Sequence, residues 1–197
     1  MKKNYYTMAL MLFSINPIFA IPPNNILKKN TNLIYDVNYK GSNYELTVTI
    51  NKLAKNSQEF KWKMIGPQTT EGVLNLNEET INNAEGVVHF FQEGAIDMTN
   101  QCAFFLSKKI FNDFKNSNTS LISTDIENNK KNIFYFPVKH TQSFQYNNDI
   151  FKEFNCITVM GQDNSDLQIT YVDDAEFPLI VKLEVDWILK LKSIYSK

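Results

Sequence analysis

Leu179-Ile180-Val181-Lys182-Leu183-Glu184-Val185-Asp186-Trp187-Ile188-Leu189-Lys190-Leu191-Lys192 is the stretch that decides the fold class. Every odd position is apolar. The even positions hold Lys182, Glu184, Asp186, Lys190 and Lys192, joined by Ile180 and Ile188. A period of two puts one face on a core and one in water, which is the pattern of a β-strand. A helix would scatter the same charges into its buried stripe.

The same period runs outward from there. Tyr44, Leu46, Val48 and Ile50 alternate with Glu45, Thr47, Thr49 and Asn51. Phe60, Trp62 and Met64 alternate with Lys61 and Lys63. Weaker strand patterns cover residues 33–39, 87–91, 103–106, 121–126, 133–136, 154–160 and 167–172. Between them lies turn chemistry: Gly41-Ser42-Asn43, Gly66-Pro67, Asn128-Asn129, residues 161–166 and Asp173-Asp174. Two short helices interrupt the strands. Asn77 caps one over residues 78–84, with Glu78 and Glu79 in its first turn. Ser107 caps another over 108–115, with Ile110, Phe111 and Phe114 on one apolar face. About ten strands with half-polar faces call for antiparallel pairing. The expectation is a mostly β protein: a single strongly curved antiparallel sheet, barrel or half-barrel, with two short α-helices. A two-sheet sandwich is the competing architecture.

Residues 1–20 read as a secretory signal: Lys2 and Lys3, an apolar run through Met8, Leu10, Leu12, Phe13 and Ile15, then Ile18-Phe19-Ala20. Asn16-Pro17 interrupts the run, and it is short for a membrane span. Cleavage after Ala20 leaves 177 of the 197 residues and moves the net charge from −1 to −3. Residues 21–31 read as an extended lead-in and 32–197 as one β-rich domain. A chain of this size buries roughly 70% of its unfolded surface, enough for one core. The expected location is the periplasm or the extracellular space, with no transmembrane span in the mature chain. All 20 basic residues are lysines, and a mildly acidic chain without arginine argues against a nucleic-acid partner.

Four segments carry a family resemblance: Tyr35-Asp36-Val37; Phe60-Lys61-Trp62-Lys63-Met64; Phe105-Leu106-Ser107-Lys108-Lys109-Ile110-Phe111; and Phe177-Pro178-Leu179-Ile180-Val181 running on to Trp187-Ile188-Leu189. In this order they resemble an uncharacterised family of exported bacterial β-proteins. The family is loosely similar in outline to periplasmic lipoprotein carriers. The resemblance implies a curved antiparallel sheet and transfers no activity, cofactor or catalytic residue.

Cys102 and Cys156 leave two readings open. In an oxidising compartment an even pair invites a disulfide, worth roughly 4 kcal/mol for a loop of this length. The other reading is two buried thiols on separate strands. Catalytic and metal motifs are sparse. His89 and His140 stand 51 positions apart, without the spacing of a zinc site. His89 shares a strand face with Val87 and Phe91, and His140 reads as a loop or strand-start residue. Asp163-Asn164-Ser165-Asp166 breaks the calcium-loop pattern at Leu167 and Gln168. Asp173-Asp174-Ala175-Glu176 reads as a solvated turn. Ser107-Lys108-Lys109 lacks the Ser-x-x-Lys spacing, because position 110 is Ile. No catalytic residue, metal ligand or cofactor site is expected.

Aromatics are the strongest unexplained signal, clustered between residues 90 and 154. Consecutive aromatics on a strand point to both faces. Trp62, Trp187, His89, Phe90, Phe91, Phe104 and Phe105 are therefore the candidate lining of a hydrophobic ligand site. The other reading is a two-sided core, with the strand covered by Ile110, Phe111 and Phe114, and it is favoured because that many exposed aromatics would form a sticky patch. The leading functional expectation is an exported non-enzymatic binding protein holding an apolar small molecule or lipid chain. The alternatives are an envelope assembly protein that binds a protein partner and a hydrolase using a histidine with a carboxylate.

Overall fold

The computed structural model describes residues 26–88, 91–125, 130–148, 150–162 and 166–196. The signal segment, residues 21–25, His89, Phe90 and residues 163–165 lie outside the described residues. Among those described, the strands are β1 (Asn32–Tyr39), β2 (Ser42–Ala54), β3 (Ser57–Ile65), β4 (Thr70–Asn77), β5 (Gly86–Val87), β6 (Gly94–Met98) and β7 (Gln101–Cys102). They continue as β8 (Thr119–Asp125), β9 (Lys130–Tyr146), β10 (Ile150–Gly161), β11 (Gln168–Val172), β12 (Ile180–Glu184) and β13 (Trp187–Tyr195). The helices are α1 (Glu78–Asn83) and α2 (Lys108–Ser117).

All thirteen strands join one sheet in the order β6-β4-β3-β2-β1-β13-β12-β11-β10-β9-β8-β5-β7. The expected mostly β class and single sheet are present, and the sandwich is not. Most of the strand pairings are antiparallel, as expected. β4–β6, β5–β7, β5–β8 and β13–β9 pair in parallel, so the sheet is mixed. The β13–β9 pairing also closes β9 to β13 into a ring. It does so through two residue pairs, Ser193↔Gln145 and Ile194↔Tyr146. The curvature has a local origin. Register shifts fall at Ile34/Tyr35, Ile50/Lys52, Ser123/Asp125, Thr158/Met160 and Thr170/Tyr171. Each such irregularity bends its strand and increases the twist.

The C-terminal alternation is two strands. β12 and β13 pair antiparallel through Leu183↔Leu189 and Glu184↔Ile188. Three residues separate Glu184 from Ile188. An odd loop preserves parity, so the odd positions stay on one face across the reversal. The alternation therefore runs unbroken through a turn. The β1–β2 reversal is more conventional: Tyr39 pairs with Ser42, and both Lys40 and Gly41 have positive φ. That is the signature of a two-residue hairpin whose twist matches the strands.

Both helix caps form as expected. Asn77 accepts from the Thr80 amide and Ser107 from the Ile110 amide. Ile110, Phe111 and Phe114 are buried, and Asn118 ends α2 in the left-handed region. Other elements depart from expectation. Of the strand expected over 87–91, Val87 lies in the two-residue β5, Val88 and Phe91 belong to no strand, and His89 and Phe90 lie outside the described residues. The segment 103–106 bridges the sheet solely through Phe105↔Leu179. β4 and β6 are strands beyond those expected, although Leu74-Asn75-Leu76-Asn77 in β4 does alternate and buries Leu74 and Leu76. The N-terminal lead-in is partly core: Ile26 and Leu27 are buried, and Ile50 donates its amide to the Thr31 carbonyl.

Candidate functional site

The expected aromatic lining is drawn together by the sheet. Trp62 lies on β3 with Phe60, both fully buried. Its cross-strand partner on β4 is Gly72, where an added Cβ would lie 2.8 Å from the indole. The missing side chain is what lets the indole lie against that strand. Trp187 begins β13 and pairs with Tyr39. Phe104 accepts a hydrogen bond at its carbonyl from the Ile180 amide, which ties the loop before α2 to β12.

Phe91 sits among these three. Its ring centroid lies 5.3 Å from Trp62, 5.9 Å from Phe104 and 5.8 Å from Trp187. The cluster continues from Phe104 to Tyr35 and Phe60, then from Phe60 to Phe105 and on to Phe177. These rings are in direct contact, so side chains fill the space between them. Trp62, Phe104, Phe105 and Trp187 are all buried. His89 and Phe90 lie outside the described residues.

Two features stand out within the cluster. Phe91 is only partly buried and belongs to no strand or helix. Among the described residues, the buried indole nitrogens of Trp62 and Trp187 have no hydrogen-bond partner. Tyr35 makes a contrast, since its hydroxyl donates to the Ile180 carbonyl at 3.0 Å. Burial raises that hydroxyl's pKa far above its ordinary value.

The cysteines are free and buried, so the disulfide reading is not realised. Cys102 on β7 donates its thiol to the Gly86 carbonyl at 3.2 Å. Cys156 lies on β10, between His140 of β9 and Val172 of β11. Burial pushes both thiols up to about 12. Asp173 adds a smaller upward push at Cys156.

The other polar candidates have structural work. His140 is an exposed mid-strand residue of β9, which corrects the loop or strand-start expectation. Ser107 caps α2 and donates to the Ala84 carbonyl at 2.6 Å. Asp173 pairs with Lys115 at 2.7 Å and Lys139 at 3.8 Å, while Asp174 accepts from the Glu176 and Phe177 amides. No cluster of three potential metal ligands occurs among the described residues. No helix among them is long and apolar enough to cross a membrane.

No family model, curated protein or solved structure matches the chain. Functional inference therefore rests on geometry.

Sequence reading missed a second feature. β9 has β10 along one edge. Its other edge meets β8 only up to Tyr135 and β13 only from Gln145. Among the described residues no strand covers 137–144 on that side. Pro137 sits at the β10 bulge where the β8 pairing has stopped, and having no N–H it could not donate to a continuing ladder. Beside this open edge runs a groove of about 450 Å³, lined by Gln142, Ser143, Phe144, Gln145, Phe151, Lys190, Leu191, Lys192 and Asp36. Phe151 is 69% exposed there.

Proposed function

We propose that this is a non-enzymatic binding protein that acts outside the cytoplasm and holds an apolar ligand against the aromatic cluster of its sheet. The observation that supports the reading best is the position of Phe91. Trp62 and Trp187 are held by strand ladders, and Phe104 by its bond to β12. Phe91 belongs to no ladder, so it is the one ring of the four that can leave without breaking strand pairing. Its departure would uncover an apolar face, and ligand burial there would gain about 25 cal/mol per Å². The signal-like segment at residues 1–20 supports the location.

Native mass spectrometry of protein purified from an exported fraction without detergent tests this reading. The expected result is a bound mass that is lost on denaturation and extracts into organic solvent. A clean apo mass, with no recovery of binding when that extract is added back, would overturn it.

The open edge of β9 supports a second reading, a protein partner that adds an extended strand along residues 137–144. Amide exchange there should be slower in the native envelope fraction than in the purified protein. Equal exchange in both would remove this reading.

A further inference from the structure

We infer that the ligand of the aromatic cluster is a flat unsaturated ring bearing carbonyl oxygens, and that Phe91 occupies its place in this structure. The inference rests on the ligand-binding reading above and adds the chemistry of the ligand. Buried indole N–H groups nearly always find an acceptor, and each orphan calls for an explanation. Among the described residues there are two, on Trp62 and Trp187, and both rings contact the same phenyl group. A benzene ring has no oxygen to offer them. A ring of similar thickness that carries carbonyl groups would keep the apolar contacts with Trp62, Phe104 and Trp187 and also accept from the indoles. Burial of the ring supplies affinity, and the few polar contacts supply selectivity. Phe91 then acts as an internal competitor, and the fraction of molecules with Phe91 displaced scales the apparent affinity.

The chain's only two tryptophans are the two in the site, so their emission reports directly. The probes are 2,3-dimethyl-1,4-naphthoquinone, whose substituted ring carbons block thiol addition, and 2,3-dimethylnaphthalene, which lacks acceptors. Saturable quenching by the quinone is expected, with the hydrocarbon binding about tenfold more weakly. Phe91→Ala should tighten the quinone about tenfold or more. Trp187→Phe, read through Trp62, should narrow the preference for quinone over hydrocarbon. Phe91→Leu keeps apolar bulk and serves if the alanine variant does not fold. Equal affinity for both probes would overturn the carbonyl assignment and leave the apolar reading standing. Quinone binding insensitive to every Phe91 variant would overturn the site. No binding of either probe, to the wild type or to a folded Phe91 variant, would overturn both.

Discussion

Gly72 shows how much of the aromatic cluster hangs on one missing methyl group. An alanine there would place its Cβ 2.6 Å from the Gly94 carbonyl oxygen and 2.8 Å from the Trp62 ring. One neighbour is backbone and the other is the ring that contacts Phe91, so neither yields cheaply. Gly72→Ala should cost about 1–3 kcal/mol in denaturant unfolding and shift the Trp62 emission. An unchanged midpoint would mean that β4 and the indole are not in such close contact. Cys102 makes a prediction about pH. Its thiol ionises near 9.0 when unfolded and near 12 when folded. The unfolded chain therefore loses its proton first as pH rises. The stability due to the neutral buried thiol is complete below pH 9 and drains away towards pH 12, at roughly 1 kcal/mol per pH unit. Melting curves of wild type and Cys102→Ala across pH 8–11 should show a shallower alkaline decline in the variant. Parallel declines would mean that the thiol is not shielded.

Among the elements, α2 is the most legible in the sequence, because its cap, apolar face and position agree. Ser107 has two bonds to lose: it accepts from the Ile110 amide and donates to the buried Ala84 carbonyl. Ser107→Ala should therefore cost about 2 kcal/mol, above the usual value of about 1 for a cap alone. A loss of a few tenths would show that the bond to Ala84 contributes little. The strand elements were legible where one face meets water, as in β2, β3 and β13, since alternation is the mark of a half-buried strand. They were illegible where bulges reset the parity. In β10 the run from Cys156 to Val159 is buried at every position beside the shift at Thr158/Met160. The β12–β13 turn was hidden for the opposite reason, because its loop leaves parity unchanged. The members of the aromatic site were legible as residue types, since bulky rings need a buried home. Their mutual contacts were not, because Phe91, Trp62, Phe104 and Trp187 come from four separate segments of chain. The open edge of β9 left no mark either, because a strand's pattern does not record how many neighbours it has.

At the scale of the whole molecule, the ordering of the sheet matters more than its strand count. β1 lies between β2 and β13, so early and late segments of sequence pair directly along eight residues of β1. The β4–β6 and β13–β9 pairings are also non-local. Closing such loops precedes the gain from the contacts they make, so folding should be slow for a domain of this size. Stopped-flow refolding, followed through tryptophan emission, should give phases of milliseconds to seconds. A microsecond phase carrying the whole amplitude would contradict this topology.

The adjacency of β1 and β13 bears on the life of the chain before it is folded. β13 is the last of the described strands to be made, and it is the neighbour that β1, β12 and β9 all require. Until it emerges, the first strand has an exposed edge and the ring has no closure. The β1–β2, β2–β3 and β3–β4 hairpins can pair earlier, but they cannot complete the sheet without it. Closure of the ring thus waits on β13, and losing that one strand would leave β1, β12 and β9 each with a bare edge at once.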